Sequence, residues 1–269
     1  MKNNAPIGIF DSGIGGLTVA HAIRKQLPNE SFVYFGDTAH LPYGDKSPES
    51  IRHYAARISS FLLEMKCKAV VIACNTASAH AFKTVVDVCG PSIPVINVVD
   101  PVAEYTASHY SDCKVGVIGT KGTIQSRVYV TRIEKLNKTL KVLSNATPLL
   151  APMIEEGFYN NQISQTIINS YLSKRTFSGI KALILGCTHY PLIRKEVELY
   201  YKNKIEIIDS ATVVAMFVEN ALKERKLLNS GKTATKLRFF VSDYTDAFEK
   251  STRIFFREKI ELEEARIWD

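Results

Sequence analysis

Five cysteines occur in the chain, at positions 67, 74, 89, 113 and 187, and two of them stand in matching contexts. Cys74 ends the apolar run Val70-Val71-Ile72-Ala73 and is followed by Asn75-Thr76; Cys187 ends Leu183-Ile184-Leu185-Gly186 and is followed by Thr188-His189. Each thiol is thus expected where a strand gives way to a turn leading into a helix. There it faces the positive end of a helix dipole, which favours thiolate and lowers the pKa. Such a sulfur is a usable base near neutral pH. The amide of Asn75 and the hydroxyls of Thr76 and Thr188 are donors suited to a carboxylate at the same turns. Cys67, Cys89 and Cys113 have ordinary apolar surroundings, in which cysteine is a small buried hydrophobe.

Two thiols facing each other can do what one cannot. Inverting a carbon centre requires removal of a weakly acidic proton from one face and delivery of another to the opposite face, and a thiolate paired with a thiol supplies both. A cysteine hydrolase built on Cys187 and His189 is the competing enzymatic reading; it leaves the matched context of Cys74 unexplained. A module that senses a ligand in the cleft without turnover is a third.

Other residues gather around these positions. Asp11 precedes the glycine-rich run Ser12-Gly13-Ile14-Gly15-Gly16, which lacks a full dinucleotide-binding register. Asp11 suits orienting a thiol, binding an ammonium, or capping the turn. His189, two residues past Cys187, could tune that thiol or act as an acid. The histidines at 21, 40, 53, 80 and 109 have no matched partners and are expected at the surface. Pro42-Tyr43-Gly44 reads as a turn whose backbone N–H groups reach the same crevice. An odd number of cysteines without a CxxC pair points to reduced thiols, with neither a disulfide framework nor a metal site.

The elements that must position these residues alternate short apolar runs with longer amphipathic stretches, the pattern of an α/β protein with mainly parallel strands. Strands are predicted over residues 6–10, 32–35, 69–73, 93–98, 114–118, 140–144, 182–185, 205–208 and 237–241. Ile51, Tyr54, Ala55, Ile58, Phe61 and Leu62 follow helical spacing, as do Ile163, Ile167 and Tyr171, and both stripes are expected in the core. A weak internal repeat runs through the strands. Ile7-Gly8-Ile9-Phe10-Asp11 is echoed by Val115-Gly116-Val117-Ile118-Gly119, the Cys74 run by the Cys187 run, and Val98-Val99-Asp100 by Ile207-Ile208-Asp209. Three anchors in the same order imply two related open-sheet halves, each giving one cysteine to a cleft between strand ends.

Composition narrows the partners. The chain of 269 residues is 46% hydrophobic and 23% charged, which suits a folded protein. Its formal charge of +7 comes from scattered Lys and Arg without aromatic interleaving, so no nucleic-acid partner is expected. No run reaches the roughly 18 to 20 apolar residues of a membrane helix, and the polar start is no signal peptide, so a soluble, cytoplasmic protein is expected.

Four motifs, in order, resemble the glutamate racemase family: Ile9-Phe10-Asp11-Ser12-Gly13-Ile14-Gly15-Gly16-Leu17; Tyr34-Phe35-Gly36-Asp37-Thr38-Ala39 through Pro42-Tyr43-Gly44; Ala73-Cys74-Asn75-Thr76-Ala77-Ser78; and Leu185-Gly186-Cys187-Thr188-His189-Tyr190-Pro191-Leu192. The resemblance implies two similar α/β domains related by pseudo-twofold symmetry, residues 1–99 with 209–269 and residues 100–208, with the active site between them. It implies a reaction without pyridoxal phosphate or metal that supplies D-glutamate for peptidoglycan, glutamate as the small-molecule substrate, and leaves room for a homodimer. By the same resemblance Cys74 and Cys187 are the acid/base thiols, assisted by Asp11 and His189 respectively. Asp11, Ser12, Tyr43, Gly44, Asn75, Thr76, Thr188 and His189 contact substrate, with Thr120 and Thr123 as further contacts. An acidic residue of the Glu155-Glu156-Gly157 segment serves the second thiol, Glu155 being preferred. A racemase for another amino acid, aspartate above all, would use the same pair.

Overall fold

The strands at the centre of the first half expose no face to solvent. Ile7–Asp11 (β1), Phe32–Gly36 (β2) and Ala69–Ile72 (β3) are buried along their whole length, as parallel strands are when helices cover both sides. The computed structural model describes residues 3–173, 175–229, 231, 234–256 and 259–268. Among these the further strands are Val95–Asn97 (β4), Lys114–Gly119 (β5), Lys141–Ala146 (β6), Ile180–Gly186 (β7), Glu206–Asp209 (β8), Leu237–Val241 (β9) and Leu262–Glu264 (β10). The α-helices are Leu17–Gln26 (α1), Pro48–Glu64 (α2), Asn75–Cys89 (α3), Val99–His109 (α4), Lys121–Gln125 (α5), Val128–Leu136 (α6), Leu150–Glu155 (α7), Gln162–Leu172 (α8), Arg194–Tyr200 (α9), Ser210–Glu224 (α10) and Asp246–Phe256 (α11).

All strand pairs are parallel, in two sheets ordered β10-β9-β2-β1-β3-β4 and β6-β5-β7-β8. The run β2-β1-β3-β4 has the same order as β6-β5-β7-β8, so the repeat seen in the sequence is a repeat of topology. The first sheet is then extended by β9 and β10 from the C-terminal part of the chain. Side chains alternate faces along each strand. Ile9 and Val71 therefore join Leu183 and Leu185 in one core that runs through both sheets, while Val70 and Ile72 pack outward beneath α2 and α3.

The α2 stripe is buried as expected at Ile51, Ala55, Ile58 and Leu62, with Pro48 at the first turn and Ser47 accepting the Ser50 N–H at 3.2 Å. The α8 stripe is buried only in part: Ile167 and Tyr171 pack half-buried against the core. Its buried face is Ser164, Ile168 and Leu172, and Ile163 is 55% exposed. Ser164 closes a capping box with Asn161 and donates its hydroxyl to buried Glu196, so a polar residue takes a place on the buried side of the helix. Of the histidines expected at the surface, His53 and His109 are exposed, whereas His21, His40 and His80 are half-buried. His40 stacks on Tyr54 and pairs with Asp37, and His80 bonds the Gly122 carbonyl. Among the described residues no helix is long and apolar enough to cross a membrane.

Candidate active site

In parallel sheets the carboxyl ends of the strands and the helix starts that follow them form the binding crevice. Here β1, β3, β5 and β7 deliver Asp11, Cys74, Thr120 and Cys187 to that end. A cavity of about 200 Å³ is lined by Ser12, Gly13, Tyr43, Gly44, Cys74, Asn75, Thr76, Thr120, Glu155, Cys187, Thr188 and His189, with Leu41, Pro42, Ala151 and Pro152 supplying apolar wall. The sequence candidates are thus brought together, with two exceptions. Asp11 lies behind the lining, and Thr123 is buried against Thr76 at 3.2 Å. A larger depression of about 420 Å³ beside Tyr244, Glu249 and Lys259 contains neither thiol.

Two glycines let the halves meet. A Cβ on Gly15 would stand 2.4 Å from His189 Cε1, and one on Gly44 would stand 2.9 Å from Thr120 Cβ. Only a residue without a side chain permits either approach.

On the first side, Cys74 is the N-cap of α3. Its sulfur accepts the Ala77 N–H at 3.4 Å, and its thiol donates to Ser12 Oγ at 3.7 Å. Beneath it, Asp11 Oδ2 accepts the N–H groups of Gly16 at 2.9 Å and Gly13 at 3.2 Å, while Oδ1 has no hydrogen-bond partner among the described residues. Burial raises the Asp11 pKa, opposed by the positive charge of His189 and by those backbone donors. For Cys74, burial first and the Asp11 charge second push the thiol up to about 12, against the lowering by Ala77 and Ser12. This corrects the expectation of a dipole-lowered thiol: at 5% exposure, loss of water outweighs the helix cap.

The second side is built differently. Cys187 Sγ lies 3.5 Å from His189 Nδ1, and His189 Nε2 lies 2.9 Å from Glu155 Oε1. Burial works against a charged ring, yet hydrogen bonds to the Cys187 sulfur and the Glu155 carboxylate hold the His189 pKa well above its ordinary value. Both ring nitrogens then donate, as an imidazolium must. Glu155, at the end of α7, makes this contact, while Glu156 is exposed. Phe255 of α11 packs edge-on against the ring, with centroids 5.4 Å apart.

The same lining carries neutral donors. Thr76 Oγ1 is 2.9 Å from Thr120 Oγ1, joining the two sheets, and Asn75 Nδ2 is buried without a partner among the described residues. The lining holds no Lys or Arg, so an anionic ligand is left to hydroxyls, amides and backbone N–H groups. Nor does it hold a lysine able to form an imine with a carbonyl cofactor. Among the described residues no group of three or more His, Cys, Asp or Glu could hold a metal ion.

Two buried residues escaped sequence reasoning. Asp37, at the end of β2, accepts the Tyr43 hydroxyl at 2.6 Å and Ser242 Oγ at 2.7 Å and pairs with His40, fixing the Tyr43 loop. Its position at a strand end, like that of Asp11, was the available signal. Tyr129 donates to Asn75 Oδ1 at 2.7 Å from the opposite half, and nothing local marks it.

The Asp/Glu/hydantoin racemase family model matches residues 16–218 of this chain. The chain is 42% identical over 242 residues to the glutamate racemase of Geobacter metallireducens, covering 90% of this chain and 89% of that protein. With the glutamate racemase of Chlorobaculum tepidum it shares 42% identity over 255 residues, 95% of this chain and 93% of the relative. Its fold superposes with a TM-score of 0.93 on the crystal structure of glutamate racemase from Francisella tularensis in complex with D-glutamate, at 38% identity and covering 99% of each chain.

Proposed function

Because this chain belongs to the Asp/Glu/hydantoin racemase family and is an amino-acid racemase, we propose that its substrate is glutamate and that Cys74 and Cys187 interconvert the L and D forms from opposite faces. The observation that carries this reading is one small cavity lined by both thiols, each with its own proton-handling partner. Its volume of about 200 Å³ is below the roughly 300–1,000 Å³ of pockets for drug-sized ligands, which suits a small amino acid.

In each direction one sulfur, as thiolate, removes the α-proton and the other, as thiol, delivers a proton to the opposite face. The reverse reaction exchanges the roles. Burial favours the neutral thiol at Cys74, and the Cys187 sulfur and Glu155 favour a protonated His189. General acid–base catalysis supplies about 10²- to 10⁴-fold. The remaining acceleration falls to donors that take up charge as the carbanion develops. Asn75, Thr76 and Thr188 are placed for the substrate carboxylates. The proposed reaction needs no pyridoxal phosphate and no metal. We assign the D-glutamate formed to peptidoglycan synthesis, with the enzyme at work in the cytoplasm.

Circular dichroism of L-glutamate, L-aspartate and L-glutamine incubated with the purified protein tests this directly. The expected result is loss of optical activity with glutamate, persisting after dialysis against chelator and after hydroxylamine treatment. Faster turnover of aspartate would reassign the substrate. Activity lost on dialysis and restored by pyridoxal phosphate would overturn the mechanism.

A further inference from the structure

We infer that Tyr129 is a positioning residue that fixes, from the opposite side of the cleft, which end of the Asn75 amide is offered to the substrate. A primary amide has an acceptor end and a donor end, and the two are close to interchangeable in shape. An anionic ligand tolerates only the donor end. At Asn75 the acceptor is already engaged: Oδ1 takes the proton of the Tyr129 hydroxyl at 2.7 Å. The Nδ2 group is left buried in a residue of the cavity lining, with no partner among the described residues. A buried amide donor without a partner is costly to keep, and a carboxylate oxygen relieves it. The orientation that leaves it open is therefore the one that selects an anion.

Tyr129 is well held for this task. It belongs to α6 on the second sheet and is 2% exposed, while Asn75 starts α3 on the first sheet. Its ring lies against the strand that carries Cys187, since a Cβ on Gly186 would stand 3.3 Å from Tyr129 Cε2. Burial, with the charges of Cys187 and Asp100, pushes the phenol pKa up, so the hydroxyl keeps its proton and acts as a donor. Removing that hydroxyl leaves Oδ1 without its donor and frees the amide to turn its oxygen toward the substrate.

This inference rests on the proposed reaction, and the test separates the two. Parent protein, Tyr129→Phe, Asn75→Ala and the double variant are compared for racemisation kinetics and for binding of D-glutamate by calorimetry. Tyr129→Phe keeps the ring and its packing. It is expected to raise KM and the dissociation constant about tenfold, the consequence of a weakened hydrogen bond to a charged group, with kcat within about threefold. In the Asn75→Ala background the same change should alter KM less than about twofold, because coupled residues are not additive. An unchanged KM for Tyr129→Phe, or an equal effect in both backgrounds, overturns the inference while leaving the reaction standing. A parent that neither binds nor racemises these amino acids overturns the reaction, and the inference with it.

Discussion

The two sides of the cleft occupy equivalent places in a repeated topology and are equipped for different proton chemistry. At Cys74 the thiol is capped by Ala77 and Ser12 above a carboxylate, Asp11, that comes from the central strand β1. The equivalent end of β5 is Gly119, which has no side chain to offer, and the second thiol instead takes its support from His189 and from Glu155 on α7. Duplication of the fold thus explains why two sulfurs face one cavity. It does not explain what each sulfur can do, which follows from loops and helices that the halves do not share.

The largest expected effect comes from removing either sulfur. Cys74→Ala and Cys187→Ala should each lower racemisation by about 10³-fold or more in both directions, the range of lost general acid–base catalysis, as read by circular dichroism. A Cys74→Ala enzyme that still racemised would reduce the site to one working side.

The next effect distinguishes the supports. Glu155→Gln or His189→Asn should lower kcat about 10²-fold, and Asp11→Asn should act through the other thiol. L and D substrates are of equal energy, so kcat/KM stays equal in the two directions and asymmetry must show in kcat and KM together. The ratio of kcat for L to D over kcat for D to L should shift in opposite senses for Asp11→Asn and for the His189 and Glu155 variants. Shifts in the same sense would erase the comparison.

Thiol reactivity gives a smaller but cleaner contrast. With its pKa pushed up to about 12, Cys74 holds a thiolate fraction on the order of 10⁻⁵ at pH 7. Iodoacetamide followed by peptide mapping should therefore leave Cys74 almost unlabelled at pH 7. Labelling of Cys74 should accelerate only as pH rises past 9. Rapid labelling of Cys74 at pH 7 would contradict its neutral state.

Inert cysteines set the baseline. Burial raises Cys67 from 9.0 to about 12 and Cys89 to about 11, so a raised pKa alone does not make a catalytic thiol; the polar neighbours of Cys74 do. A folded-state pKa above the unfolded value favours the protonated fold. Its stabilisation is complete below pH 9 and is lost as pH rises toward 12. The melting temperature should fall across that interval, less steeply in Cys67→Ala, with turnover at neutral pH nearly that of the parent. An unchanged alkaline slope would remove Cys67 from the account.

Much of this arrangement was legible in the sequence because strands ending in Cys-Asn-Thr or Cys-Thr-His announce both the element and the chemistry. All nine expected strands are present, β9 with the expected ends and the other eight with shifted ones. β10 was missed because Leu262-Glu263-Glu264 is three residues long and has no apolar alternation. What local patterns could not carry was interaction across the fold. Glu196 of α9 takes the Ser164 hydroxyl on the buried side of α8, and burial reversed the expected effect of the helix dipole on Cys74. Tyr129 and Asp37 act on residues supplied by other elements. Glu155 could be separated from its neighbour Glu156 only by the end of α7 that brings it to His189.

The central claim, that two sulfurs act from opposite faces, is tested most directly by where solvent hydrogen first appears. L-Glutamate is incubated with the enzyme in deuterated water, the reaction is stopped early, and both enantiomers are analysed by mass spectrometry. The abstracting sulfur takes protium from the substrate while the opposite thiol, equilibrated with solvent, delivers deuterium. Newly formed D-glutamate should carry deuterium at the α-carbon and recovered L-glutamate should remain mostly protiated, with the mirror result starting from D-glutamate. Deuterium in recovered L-glutamate at a level similar to that in D-glutamate would contradict the two-sided mechanism, even if both cysteines proved essential.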